Sequence, residues 1–283
     1  MPRVKLTYFQ GHHWSAPISL TDSDAARPSL TVLSRPDNDP VLFCLTVSDG
    51  GCRLSSTTDG TTWYTSNQAP PAHPADNTAA ALVAFHPEGG TPLLHLFWTD
   101  DQGDTYWSTA TNGTEWSKPT NVPHMPSGDG APAAAILDDA LHLVKGSDTP
   151  SYATYDGNAW TKQPAPQQAT FPHLAPYLGV LYCTGLSTDT DGTPYQTFDG
   201  TGWASQRKIA WNDTSQDTAL AAYEGDLLVA VTTAGDHLAY TTTKDGATWA
   251  PVAACHTPAD PSTTGVDIAR FGTTLHCAYT ADE

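Results

Sequence analysis

Three tryptophans, Trp98, Trp107 and Trp211, stand outside any recurring pattern of this chain. A flat aromatic face takes the apolar C–H side of a pyranose ring, while nearby Asp, Asn or His groups orient its hydroxyls. Three histidines, His95, His142 and His276, each follow a leucine inside a short apolar run, which opens three readings: a buried imidazole, a hydroxyl contact or a metal ligand. Tyr152, Tyr182 and Tyr195 could add phenol donors, and Arg27 and Arg53 guanidinium donors, to the same hydroxyl chemistry. Asp24, Asp76, Asp129 and Asp213 lie in acidic loops such as "TDSDAA" and "SGDGAP". Carboxylates of this kind suit Ca²⁺, but Asp in loops equally bonds its own backbone. They are weak candidates, and no firm metal site or cofactor is expected. No Gly-rich phosphate loop, His-Glu-x-x-His, Gly-x-Ser-x-Gly or local Cys/His signature is present.

The elements that must position these residues repeat. A turn of Gly-x-x-Trp preceded by Asp, Asn or Gln occurs six times: "QGHHW", "DGTTW", "NGTEW", "DGNAW", "DGTGW" and "DGATW". Their tryptophans, Trp14, Trp63, Trp116, Trp160, Trp203 and Trp249, are spaced by 49, 53, 44, 43 and 46 residues. A period of about 40–50 residues is the mark of a propeller or solenoid. Before each of these turns, except the first in the chain, runs a short apolar strand, such as "VLFCLTV" from Val41 or "LLHLFW" from Leu93. Ahead of that lies a strand of small residues, as in "PAAAIL", and behind it a third strand, often aromatic. The Asp-Gly turn supplies the positive φ of a tight hairpin and leads into a fourth strand. Four-stranded sheets repeated in this way are propeller blades.

The expected fold is therefore all-β, a six-bladed β-propeller of four-stranded antiparallel blades forming one domain over residues 1–283, with almost no helix. The last unit stops at "LHCAYTADE", short of two strands, and the chain opens with "VKLTYFQGHHW", which supplies them. The N-terminal strands should close the last blade, so trimming about ten residues from either end should unfold or oligomerise the protein. The recurring Trp should pack between blades, because a blade has two apolar faces to bury. His95, His142 and His276 then fall on separate blades and could not share one ion.

With 30 acidic against 12 basic side chains, the formal net charge is −18. Phosphate backbones and anionic lipid would be repelled, so nucleic acid and membrane insertion are not expected. No secretory leader is visible, which points to a cytoplasmic or leaderless-secreted protein, a monomer or small homo-oligomer. Cys44, Cys52, Cys183, Cys255 and Cys277 form neither a disulfide framework nor a zinc pattern. Most read as small buried thiols, with a Cys44–Cys52 bridge across one hairpin left open.

"YDGNAW" and "FDGTGW" resemble the turns of the six-bladed fucose-binding propeller lectins. "STTDGTTW" and "TTKDGATW" resemble, more distantly, the Asp-box of sialidases, with Asp displaced to the position before Gly. The lectin resemblance covers all six repeats and implies sugar pockets between blades, clamped by an Arg on the second strand and a Glu on the third. Here the Arg position holds Phe43, His95, His142, Tyr182, Leu228 and His276. The Glu position holds Leu54, Trp107, Tyr152, Tyr195, Tyr240 and Leu6. The charged clamp is missing in every copy, which leaves recognition to aromatic, imidazole and hydroxyl groups. The sialidase resemblance implies an arginine cluster, of which Arg27 is the one candidate. The expectation is a non-enzymatic, multivalent lectin for glycans or glycoproteins, binding between blades or on the loop face. The alternative is a glycoside hydrolase or lyase with a single site at the channel mouth.

Overall fold

The computed structural model describes residues 3–10, 13–20, 26–36, 38–48, 51–75, 78–167, 169–186, 192–211, 215–224, 227–234, 237–255 and 261–281. It divides into two compact units, Ser29–Pro172 and Met1–Pro28 with His173–Glu283. The first unit carries blades 1 to 3. Blade 1 is built of Ala26–Arg35, Asn38–Ser48, Gly51–Thr57 and Tyr64–Thr65; blade 2 of Ala81–Phe85, Leu93–Thr99, Thr105–Ala110 and Thr120–Asn121. Blade 3 is Pro132–Leu137, Ala140–Lys145, Ser151–Tyr155 and Trp160–Gln163.

The second unit carries the other three. Blade 4 comprises His173–Tyr177, Val180–Thr184, Thr193–Phe198 and Arg207–Ile209, and blade 5 comprises Ser215–Tyr223, Leu227–Ala234, His237–Thr243 and Ala253–Ala254. Blade 6 takes Pro261–Phe271 and Thr274–Ala281 from one end of the chain, Arg3–Gln10 and His13–Trp14 from the other. Arg3 faces Ala281 and Phe9 faces Leu275, so the N-terminal strand is zipped antiparallel along the C-terminal one. An extra short strand, Ile18–Ser19, pairs with Lys5 and Leu6. All six sheets are antiparallel, no helix occurs among the described residues, and the fold is the six-bladed β-propeller expected from the repeats.

Strand position within a blade decides composition. Second strands are covered on both faces, which is why Leu93–Thr99 is buried from Leu94 onward and reads as a continuous apolar run. First strands of neighbouring blades pack together and exploit small side chains. In blades 1 and 2, Ser29 Oγ accepts a hydrogen bond from Leu82 N–H, and Thr31 Oγ1 one from Ala84 N–H, both at 3.0 Å. Those hydroxyls satisfy edge donors that no strand pairs.

Four of the turns before a repeat Trp are held by their own Asp. Asp59 Oδ1 accepts from Thr61 and Thr62 N–H at 2.8 and 2.7 Å, and Asp156, Asp199 and Asp245 do the same in their turns. These bonds to the ionised form drive the Asp59 and Asp245 carboxyls well below the usual carboxylate range. Gly60, Gly113, Gly157, Gly200 and Gly246 all have positive φ, as the hairpin requires.

Trp116, Trp160, Trp249 and Trp14 pack across blades. Trp116 of blade 2 joins the cluster of Phe43, Leu45 and Leu54 from blade 1; Trp160 of blade 3 meets Phe97 and Trp107 of blade 2. Trp249 packs on Tyr195, and Trp14 on Tyr240. The five cysteines are buried thiols outside any disulfide, and no Cys44–Cys52 bridge exists. Cross-strand pairing explains this: Cys44 faces Ser55 and Cys52 faces Val47. An odd offset of three along the strand sends the two side chains to opposite faces of the sheet.

Candidate functional site

Phe43 and Leu54 form the floor of an open cleft of about 440 Å³ between blades 1 and 2. Phe43 stands on the second strand of blade 1 and Leu54 on the third, both almost fully buried. Above them sits the turn of blade 2. A Cβ on Gly113 would lie 2.7 Å from Leu54 Cδ2 and 3.1 Å from Phe43 Cε1, and φ is +80° there, so only glycine lets the turn approach this closely.

One wall is the outer strand of blade 1. Tyr64 pairs with Ser56 and is 68% exposed, the most exposed large hydrophobic side chain in the described structure. Behind it the chain is fixed: Ser66 N–H donates to Leu54 O at 2.8 Å, and Ser55 and Thr65 hydroxyls bond at 3.0 Å. Ser66 Oγ then exchanges bonds with Gln68. The opposite wall is Asn112, whose Oδ1 accepts from Thr114 N–H at 3.1 Å and Thr114 Oγ1–H at 2.7 Å. That arrangement turns the Asn112 NH₂ group away from its own turn. Ser56, Asn67 and Gln68 complete a lining of hydroxyls and amides with no charged side chain.

The equivalent position between blades 2 and 3 is filled. His95 and Trp107 replace Phe43 and Leu54, and Trp107 meets Phe97, Tyr155 and Trp160 with ring centroids 6.3, 5.2 and 5.6 Å away. Tyr155 occupies the space itself, stacking on Trp160 at 5.1 Å and donating its hydroxyl to Gly157 O at 2.7 Å. At the matching strand end of blade 2, opposite Trp116, stands Ala110. Between blades 4 and 5, Tyr182 and Tyr195 fill their own position, both hydroxyls donating to Gly246 O at 3.4 Å.

His95 is 2% exposed, and neither ring nitrogen has a hydrogen-bond partner among the described residues. Desolvation lowers its pKa to about 4. His142 is also buried, bonding Tyr152 Oη through Nδ1 and Leu137 O through Nε2 at 3.2 Å. His276 Nε2 bonds Thr274 Oγ1 at 2.8 Å, and its pKa is likewise lowered to about 4 by burial. The structure thus places all three imidazoles inside blades.

Trp98 is buried and stacks on Tyr106 at 5.8 Å; Trp211 is buried and donates Nε1–H to Thr193 Oγ1 at 2.9 Å. Tyr152 is buried as well, and Arg53 is exposed on the third strand of blade 1. Arg27 has φ 41° and pairs with Asp217 at 3.0 Å, a carboxylate that also accepts from Gly265 N–H at 3.2 Å. Asp24, Asp76 and Asp213 lie outside the described residues, and Asp129 is exposed. Among the described residues no three His, Cys, Asp or Glu side chains come close enough to hold a metal ion.

Tyr64, Asn67, Gln68 and Asn112 were not singled out by the sequence reading. Their signal was present: Tyr64 follows Trp63 directly on an outer strand, and Asn112 stands where four of the other turns have Asp. What made them a site is the neighbouring blade, which sequence spacing alone does not supply.

No family model matches the chain, and no curated protein does. Among solved structures it is similar to the fungal lectin of Aleuria aurantia, described as a six-bladed β-propeller with a novel fucose recognition mode. The TM-score is 0.66 at 10% identity, over 89% of this chain and 87% of that one. It is also similar to AofleA from Arthrobotrys oligospora, TM-score 0.66 at 10% identity, over 90% and 79% of the two chains. A protein of unknown function from Dyadobacter fermentans matches with a TM-score of 0.64 and 12% identity, over 92% and 95%. At identities this low, the likeness shows a shared fold alone.

Proposed function

We propose that this protein is a non-enzymatic carbohydrate-binding lectin whose glycan sits in the cleft between blades 1 and 2. The observation that carries the reading is the lining: an apolar floor of Phe43 and Leu54, an exposed Tyr64 ring, and only amide and hydroxyl groups around them. A pyranose offers the complement, an apolar C–H face edged by hydroxyls. Without a charged residue in the lining, a neutral terminal sugar is favoured over a sialic acid, uronate or sulfated residue. The solved lectin of Aleuria aurantia, described by its fucose recognition, has the same fold, which supports glycans as the ligand class.

Multivalency in this reading comes from further clefts or several chains, since Tyr155, Tyr182 and Tyr195 occupy their own inter-blade positions. The test is a glycan array probed with the labelled protein, with and without a calcium chelator. Binding to a related set of neutral glycans, unchanged by chelation, is the expected result. A blank array at micromolar protein rejects the reading.

A further inference from the structure

A second cleft, of about 460 Å³, opens in blades 1 to 3 among loops that take no part in the first. Its walls come from Thr78, residues 126–131, which lead into blade 3, residues 145–149 and Ser151, from the end of that blade's second strand to the start of its third, and Thr170 with Phe171. The loop backbones at its base touch directly. Gly146 N–H donates to Ala131 O at 2.8 Å; a Cβ on Gly130 would fall 1.7 Å from Gly146 O, and one on Gly146 2.2 Å from Ala169 O. No side chain fits at either glycine, so the cleft is shaped before any ligand arrives.

Lys145 lines this cleft and is 3% exposed. Its Nζ donates to Gly103 O at 2.7 Å and Pro126 O at 3.1 Å. An ammonium has three N–H donors, and the third has no protein acceptor among the described residues. Burying an ammonium donor unused is costly, which makes it a preset contact for a ligand oxygen. Phe171 stands half-buried on the wall with φ 46°, a region that bulky residues rarely enter. Such conformations persist where the surroundings enforce them, and they concentrate at functional sites. On the rim, Asp129 and Asp148 are exposed carboxylates able to accept from hydroxyls, beside Thr149 and Ser151.

An aromatic wall, one cationic donor at the base and carboxylate acceptors on the rim fit an uncharged ring bearing several hydroxyls. An anion would meet Asp129 and Asp148 before reaching Lys145. We propose that this cleft is a second carbohydrate site, in which a neutral pyranose lays its apolar face on Phe171 and one hydroxyl oxygen on Lys145 Nζ. The inference rests on the glycan-binding reading but not on the cleft between blades 1 and 2.

The two sites are separable by amide spectra of the ¹⁵N-labelled full chain, titrated with methyl glycosides of fucose, mannose, galactose, glucose and N-acetylglucosamine, and with N-acetylneuraminic acid. At least one neutral glycoside should shift the Gly128, Gly130 and Gly146 amides, and the acid should not. Phe171→Gly suits the positive φ, so its fold should survive, while affinity at those amides falls about tenfold or more and Gly113 and Asn112 respond as before. Phe171→Tyr should restore binding. Shifts confined to Gly113 and Asn112 would overturn the second site and leave the first standing. Shifts at the three glycines alone would support the second site and reject the first, and silence at both would overturn both.

Discussion

The position that opens into a cleft between blades 1 and 2 is packed solid between blades 2 and 3. Both are built from the same repeat: a second strand, a third strand, and the Gly-x-x-Trp turn of the next blade leaning over them. In the packed copy, Tyr155 ends the third strand of blade 3 and lies against Trp107 and Trp160. In the open copy, Ala110 takes the corresponding place opposite Trp116. A large aromatic at that strand end makes core, and a methyl group leaves a cleft. The difference teaches that a repeat can specify a fold uniformly while assigning each interface separately to stability or to recognition.

Four substitutions would break or sharpen that contrast. Trp107→Ala, in the packed copy, should cost about 3–5 kcal/mol, because it removes a ring that four aromatic neighbours surround. Thermal unfolding would check it, and a loss no larger than a surface mutation's would show that this interface is not core.

His95→Leu should raise stability by about 1–3 kcal/mol, since it removes two buried ring nitrogens with no hydrogen-bond partner among the described residues. Protonation sharpens this prediction. With its pKa lowered from 6.5 to about 4, His95 leaves the wild type fully stabilised above pH 6.5 and progressively weakened as pH falls through that window. Denaturant titrations at neutral pH and near pH 4.5 should therefore show a wider gap between wild type and variant at the acid end.

Tyr64→Ala, in the open copy, should leave thermal stability within about 0.5 kcal/mol of wild type and weaken glycan binding about tenfold. A large fall in melting temperature would mean that Tyr64 belongs to the core after all. Smallest of all, Asp59→Asn should lower the melting temperature only slightly, because an amide oxygen can still accept from Thr61 and Thr62 N–H.

The blades, their boundaries and the closing strand pair were legible because they rest on local chemistry. An Asp-Gly turn needs one residue with positive φ and one acceptor, and both are visible in "DGNAW" or "DGATW" wherever they occur. The N-terminal closure was equally plain from two strands missing at one end and present at the other. Which interfaces are open was not legible, since it depends on what the following blade sets above a given pair of strands. Ala110 and Tyr155 stand at the same place only once the registers are known: Ala110 pairs with Trp116 and Tyr155 with Trp160, at spacings that differ by one residue. Trp98 and Trp211 drew attention because the repeat does not demand them, yet both are buried in their blades. Tyr64, which carries the proposed site, looked like an ordinary strand residue.

The most direct test of glycan binding at the inter-blade cleft is a titration of wild type and Tyr64→Ala with the strongest glycan from the array, followed by calorimetry. Saturable binding by wild type, weakened about tenfold in Tyr64→Ala with the melting temperature unchanged, is the expected result. Equal affinity in the two proteins would contradict the assignment of the cleft between blades 1 and 2 as the site of recognition.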